Sequence, residues 1–134
     1  PCTRASLSEL ERVLCRATML PRTRVVLWTD PQQAERFAHS GLRERLREVA
    51  AIEVIEDPAG HLAQAFGCQT SGMTLFFDGS GRLRFAGGLT PSRGHEGVSA
   101  GTLALDVLLG GGVSERIAAP VFGCSLEATP ERTL

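Results

Sequence analysis

No apolar run in this 134-residue sequence approaches the roughly 18 to 20 residues of a membrane span, and no basic n-region followed by an apolar h-region is present, so the chain as written is expected to be soluble. Charge of one sign is also lacking: fourteen Lys plus Arg against fifteen Asp plus Glu leave a formal net charge of −1, which offers no field to recruit nucleic acid or an anionic membrane. Lysine is absent altogether. The basic residues are all arginine, and neither Gly87-Gly88 nor Gly110-Gly111-Gly112 has the lysine and spacing of a phosphate-binding loop. Cys2, Cys15, Cys68 and Cys124 show no C-x-x-C spacing, which argues against a zinc ribbon or a dense disulfide framework. Internal repeats and low-complexity tracts are missing too, and the length suits one compact domain with its own core.

What is present begins with a thiol at a helix start. Leu7, Leu10, Leu14 and Ala17 recur at three- and four-residue steps and predict an amphipathic helix whose polar face carries Glu9, Glu11, Arg12 and Arg16. Ser6 with Glu9 forms a capping box that would start it at Leu7, whereas Thr3 as N-cap would start it beside Cys2. Unpaired N–H groups and the positive end of the macrodipole make a cysteine at such a start easier to ionise, hence a candidate nucleophile or metal ligand. Cys15, just off the stripe, reads as a partly buried packing residue.

After the break at Pro21-Arg22-Thr23, the run Val25-Val26-Leu27-Trp28-Thr29 predicts a strand buried on both faces, and so a parallel sheet. Asp30-Pro31 opens a second helix with apolar positions Ala34, Phe37, Ala38, Leu42, Leu46 and Val49, kinked or divided at Gly41. Ile52 to Ile55 makes a short strand ending at the turn Asp57-Pro58-Ala59-Gly60, followed by a brief helix from His61 to Phe66 that Gly67 ends. Met73–Phe77 and Arg82–Phe85 flank Asp78-Gly79-Ser80-Gly81 as a hairpin. The glycine-rich stretch 87–97 is too long for a minimal connection, a common feature of functional loops. Ser99 caps a last helix through Leu103, Val107 and Leu108, which Gly110-Gly111-Gly112 ends; the segment through Pro120-Val121-Phe122-Gly123-Cys124 is extended, and disorder is expected over 127–134. The alternation of elements, closed by an antiparallel pair, predicts a three-layer α/β sandwich with a mixed sheet over residues 1–126.

Asp57-Pro58-x-Gly60-x-Leu62-Ala63-x-x-Phe66-Gly67, followed by Thr74-Leu75-Phe76-Phe77-Asp78-x-x-Gly81-Arg82-Leu83-Arg84-Phe85, resembles the second half of thioredoxin-fold proteins of the TlpA/ResA type. With Pro1-Cys2-Thr3-Arg4-Ala5-Ser6, Gly87-Gly88-Leu89-Thr90, Arg93-Gly94-His95-Glu96-Gly97 and Val121-Phe122-Gly123-Cys124, the resemblance covers nearly the whole chain and narrows to the RedB-like group. It implies a thioredoxin-like α/β/α sandwich and an exported, periplasmic bacterial thiol-disulfide protein acting on a protein or small-molecule thiol or disulfide. By that resemblance Cys2 is the reactive thiol, with Thr70, Ser71, Gly72 and Arg93 at the substrate groove; Cys124, in the extended segment, reads as a structural residue or else a resolving thiol, and His95, with Arg93 and Glu96, as a proton donor, thiolate partner or metal ligand or else as part of a solvated loop.

Three departures qualify it. The central strand that normally runs into the reactive cysteine has no residues here, since the sequence starts at Pro1; an upstream segment, with a signal or anchor, is expected, and exposed strand edges would favour a homodimer. Cys2 stands alone where the family presents two cysteines. Gly72 occupies the place of the family's cis-proline, leaving room for a metal. The competing expectations are therefore a copper- or zinc-binding protein using Cys2 and His95, and a scaffold without chemistry; no cofactor is expected on the first reading.

Overall fold

The computed structural model describes residues 2–18, 20–28, 41–48, 52–57, 59–114, 117–124 and 126, with the side chains of Cys2, Leu42, Arg43 and Arg47 outside that description. Among the described residues the elements in chain order are α1 (Cys2–Arg16), β1 (Thr23–Leu27), α2 (Leu42–Glu48), β2 (Ile52–Glu56), α3 (His61–Ala65), β3 (Thr74–Phe77), β4 (Leu83–Gly87) and α4 (Ala100–Leu109). The chain is thus a mixed α/β protein. It divides into two compact units, Pro1–Leu20 with Thr70–Ser125 and Pro21–Gln69 with Leu126–Leu134. Among the described residues its strands pair as two two-stranded sheets, one parallel and one antiparallel. The start of the expected second helix, around Asp30-Pro31, and the expected disordered tail 127–134 lie outside the described residues.

In the first unit α1 opens at Cys2 itself, ahead of both capping signals, so Ser6 and Glu9 lie inside the helix. Ala5, Val13 and Leu14 are buried and form its inner face. Two readings of this helix are corrected. Cys15 is exposed, because the inner face runs through Val13 and Leu14 and turns the next residue outward. Glu9, placed on the polar face by the sequence pattern, is buried: it sits four residues from both Ala5 and Val13 and finds polar partners there. Helix α4 lies alongside α1, joined by the Arg16–Asp106 ion pair at 3.1 Å and by the Thr18 hydroxyl donating to the Leu109 carbonyl at 3.2 Å.

Ser99 caps α4 as the sequence predicts, with Thr102 completing the box: the Thr102 N–H donates to Ser99 Oγ, and the Ser99 N–H to Thr102 Oγ1. Ala104, Leu105 and Leu109 bury the inner face, and the chain leaves through Gly110 and Gly111, the latter at φ +86°. Strands β3 and β4 pair antiparallel with an irregularity between Phe76 and Phe77. Their turn is held by Asp78, whose Oδ1 accepts from the Ser80 N–H, the Ser80 hydroxyl and the Arg82 N–H. Those bonds, the Ser80 hydroxyl foremost, hold the Asp78 carboxyl below its ordinary range.

The extended segment lies along β4 as a short parallel bridge. The Ala86 N–H donates to the Ile117 carbonyl at 2.9 Å, and the Ala119 N–H to the Ala86 carbonyl at 3.3 Å. A Cβ on Gly88 would lie 2.5 Å from the Pro120 carbonyl oxygen, and one on Gly101 1.8 Å from the Gly88 oxygen. Three backbones therefore meet where no side chain fits.

The second unit holds β1 and β2 in parallel register, Val25 opposite Val54. The expectation that β1 is buried on both faces is corrected: Arg24 and Val26 are exposed while Leu27 is buried, an alternation that belongs to a strand covered on one face. Beyond β2 the Asp57 carboxylate is buried and accepts from the N–H groups of Leu62 and Ala63 at 3.0 and 3.1 Å, which anchors the first turn of α3. Gly60, at φ +74°, makes the turn the sequence predicts, and a side chain there would press on the Trp28 indole at 3.1 Å.

Candidate functional site

Cys2 is the first residue of α1, so its backbone stands among the unpaired N–H groups of the first turn. Its thiol lies outside the described residues. The loop before β3 passes against this helix: Gly72 has φ +89°, and a Cβ built on it would lie 2.7 Å from Ser6 Oγ. Proline, locked near −65°, cannot adopt that backbone, so Gly72 is a different device from the proline it replaces in the resemblance.

Ser71, the residue before it, is bonded to Cys124 twice. The Ser71 N–H donates to the Cys124 carbonyl at 2.8 Å, and the Cys124 N–H donates to Ser71 Oγ at 2.9 Å. Gly123 permits this approach, since a Cβ there would stand 2.1 Å from the Ser71 carbonyl oxygen. The exposed Cys124 sulfur lies 3.6 Å from Arg93 Nη2, which gives an anionic sulfur there a cationic donor.

His95 belongs to the same loop as Arg93. The His95 N–H donates to the Ser92 carbonyl at 3.2 Å, with Gly94 at φ +72° in the tight turn between. Its Nδ1 lies 2.9 Å from the Arg93 carbonyl oxygen. A carbonyl only accepts, so Nδ1 carries the proton, and in the neutral ring Nε2 presents its lone pair.

The loop is fastened to α1 by a cluster that the sequence reading missed. Glu9, 3 % exposed, accepts from the Gly97 N–H at 3.0 Å and pairs with Arg12, which reaches Glu96 at 2.8 Å. Glu9 foremost raises the Arg12 guanidinium above its ordinary value. The signal for Glu9 was its spacing in register with Ala5 and Val13, which puts a carboxylate on an apolar face.

Within the first unit the structure thus brings together Ser71, Gly72, Arg93 and Cys124, with His95 beside Arg93. Thr70 is half-buried at the start of the same loop, and its hydroxyl makes no hydrogen bond among the described residues. Cys68 lies in the second unit, where burial pushes its thiol up and disfavours the thiolate. Among the described residues no group of three or more His, Cys, Asp or Glu side chains could hold a metal, and no helix is long and apolar enough to cross a membrane.

No protein-family model and no curated protein matches the sequence. In fold the chain is similar to a solved structure described as an uncharacterized conserved protein from Geobacillus kaustophilus, at 19 % identity and a TM-score of 0.61, over 96 % of this chain and 67 % of that one. At that identity the likeness bears on the fold alone, and it agrees with an α/β architecture.

Proposed function

We propose that this chain is a thioredoxin-like thiol protein of the TlpA/ResA type, close to the RedB-like group, that carries out thiol-disulfide exchange in an exported setting with Cys2 as the attacking thiol. The observation that carries the reading is the opening of α1 at Cys2, which sets the cysteine at the positive end of a fifteen-residue helix. The approach of Gly72 to Ser6 and the tie from Ser71 to Cys124 add support, because they gather a second cysteine and a cationic donor in the same unit. In the exchange, the Cys2 thiolate attacks one sulfur of a substrate disulfide. A new S–S bond forms, the old one breaks, and the departing sulfur leaves as a thiolate. Attack by the Cys124 thiolate on the Cys2 sulfur then releases the bound half as a second thiolate and leaves a Cys2–Cys124 disulfide.

The test is the pH profile of Cys2 alkylation in a chain with Cys15, Cys68 and Cys124 changed to Ser. The expected midpoint falls clearly below the roughly 8.5 of a free thiol. A midpoint at or above that value, with correspondingly slow reaction, would remove the redox reading and favour a scaffold without chemistry.

A second reading, copper or zinc held by Cys2 and His95, draws support from the ring of His95. Metal-binding histidines commonly donate one N–H to a carbonyl and present the other nitrogen, as His95 does toward Arg93. Metal titration of the native chain and of His95→Ala separates the cases: a lower affinity in the variant supports His95 as a ligand, and unaltered binding excludes it.

A further inference from the structure

Beyond the thiol chemistry, the first unit contains a cavity of about 280 Å³ at the start of α4. Its walls are apolar, with Pro91, Pro120 and Phe122 among them, and among the described residues no charged side chain lines it. Thr90 also lines it. Only 3 % of Thr90 meets solvent and its hydroxyl has no hydrogen-bond partner among the described residues, so the cavity is the outlet left for that hydroxyl. Buried hydroxyls are rarely left unpaired, which makes an unsatisfied one beside an open space a mark of a ligand.

Two backbone donors face the same need. Ala100 and Gly101 are the first residues of α4 and both line the cavity; their N–H groups precede the intrahelical ladder and make no hydrogen bond among the described residues. The Ser99 hydroxyl is already engaged by the Thr102 N–H, so it does not quench them. The positive end of the helix, two free amides and one hydroxyl together suit a carboxylate. With no cationic side chain among the described residues of the lining, the partial charge of the helix end suits a single negative charge.

We propose that this cavity binds a small monocarboxylate with an apolar body, its carboxylate received by the Ala100 and Gly101 amides and the Thr90 hydroxyl, its body laid against Pro91, Pro120 and Phe122. A cavity of about 150 Å³ holds benzene, so the space here suits a ligand of about a dozen non-hydrogen atoms. The close meeting of Gly88, Gly101 and Pro120 backbones gives the site a rigid floor.

The test is an NMR titration of the native chain with 3-phenylpropionate, read at the Ala100 and Gly101 amide signals, beside 3-phenylpropanamide and acetate. Expected is a saturable movement of both signals, with the amide and acetate each about tenfold weaker because one lacks the charge and the other the body. Thr90→Val and Ala100→Pro each remove one donor, the proline at a first helical position where it is tolerated, and each is expected to weaken binding about tenfold. No saturable shift at millimolar acid overturns the proposal. So does equal affinity for the amide or acetate on the native chain, a comparison that stands even where a variant fails to fold. Equal affinity in a folded Thr90→Val chain removes the hydroxyl from the site.

Discussion

Ser71 and Cys124 hold each other in both directions, each donating its backbone N–H to an oxygen of the other although 53 residues separate them. One bond uses the serine hydroxyl, so the pair can be loosened without breaking it. In Ser71→Ala the Cys124 N–H loses its acceptor while the second bond remains. A loss of about 1 kcal/mol in urea unfolding is expected, together with faster alkylation of Cys124. Unchanged stability and an unchanged Cys124 rate would mean that the pair does not hold the segment in solution.

The glycine at position 101 separates a steric requirement from mere conformational freedom. A methyl group there meets the Gly88 oxygen at 1.8 Å, and Gly101→Ala is expected to cost about 3 kcal/mol. Gly79 has nothing within 4 Å of its Cβ position and no positive φ, so Gly79→Ala should stay within about 0.5 kcal/mol of the parent. Urea midpoints of the two variants, measured side by side, decide whether the three-backbone meeting exists.

Much of the local order was legible in the sequence because local chemistry sets it. Asp78-Gly79-Ser80-Gly81 carries both the acceptor and the flexible residues of its turn, and Ser99 announces the start of α4 three residues before its partner Thr102. Long-range facts were not legible. Glu9 reads as a surface charge until Gly97, 88 residues away, arrives to donate to it. Val26 sits in an apolar run that fits one covered face as well as two, and only its exposure distinguishes them. For the site, Cys124 and Arg93 were named from a resemblance, while their pairing and the tautomer of His95 depend on loop conformations that no spacing encodes.

Removing the charge of Glu9 tests the fastening of the 92–97 loop. Glu9→Gln keeps an acceptor for the Gly97 N–H but ends the charge-assisted bonds to Arg12, and about 2 kcal/mol of stability should be lost. Hydrogen exchange at the Gly97 amide should quicken. Retained protection there, with full stability, would show the loop to be held by something else.

Acid should loosen the hairpin. The Asp78 carboxyl is held below its ordinary value, so its contribution is present above the unfolded value, roughly 3.9, and is lost as pH falls through the folded one. Asp78→Asn cannot titrate, and the stability gap between parent and variant should therefore narrow on going from neutral pH toward pH 3. Urea midpoints across that range give the answer; a constant gap would place the carboxylate outside the folding linkage.

The first unit is assembled from two stretches of chain, and this has a consequence for how the protein emerges during synthesis. Arg16 waits for Asp106, ninety residues later, before α1 can settle on α4. At ribosomal speeds of about 5 to 20 residues per second, the interval is roughly 5 to 20 s. Throughout it the apolar face of Ala5, Val13 and Leu14 has no α4 to cover it, while every residue from Pro21 to Gln69 has already been made. Helix α1 is therefore made well before the helix it packs against, and its apolar face stays without that cover for the whole interval.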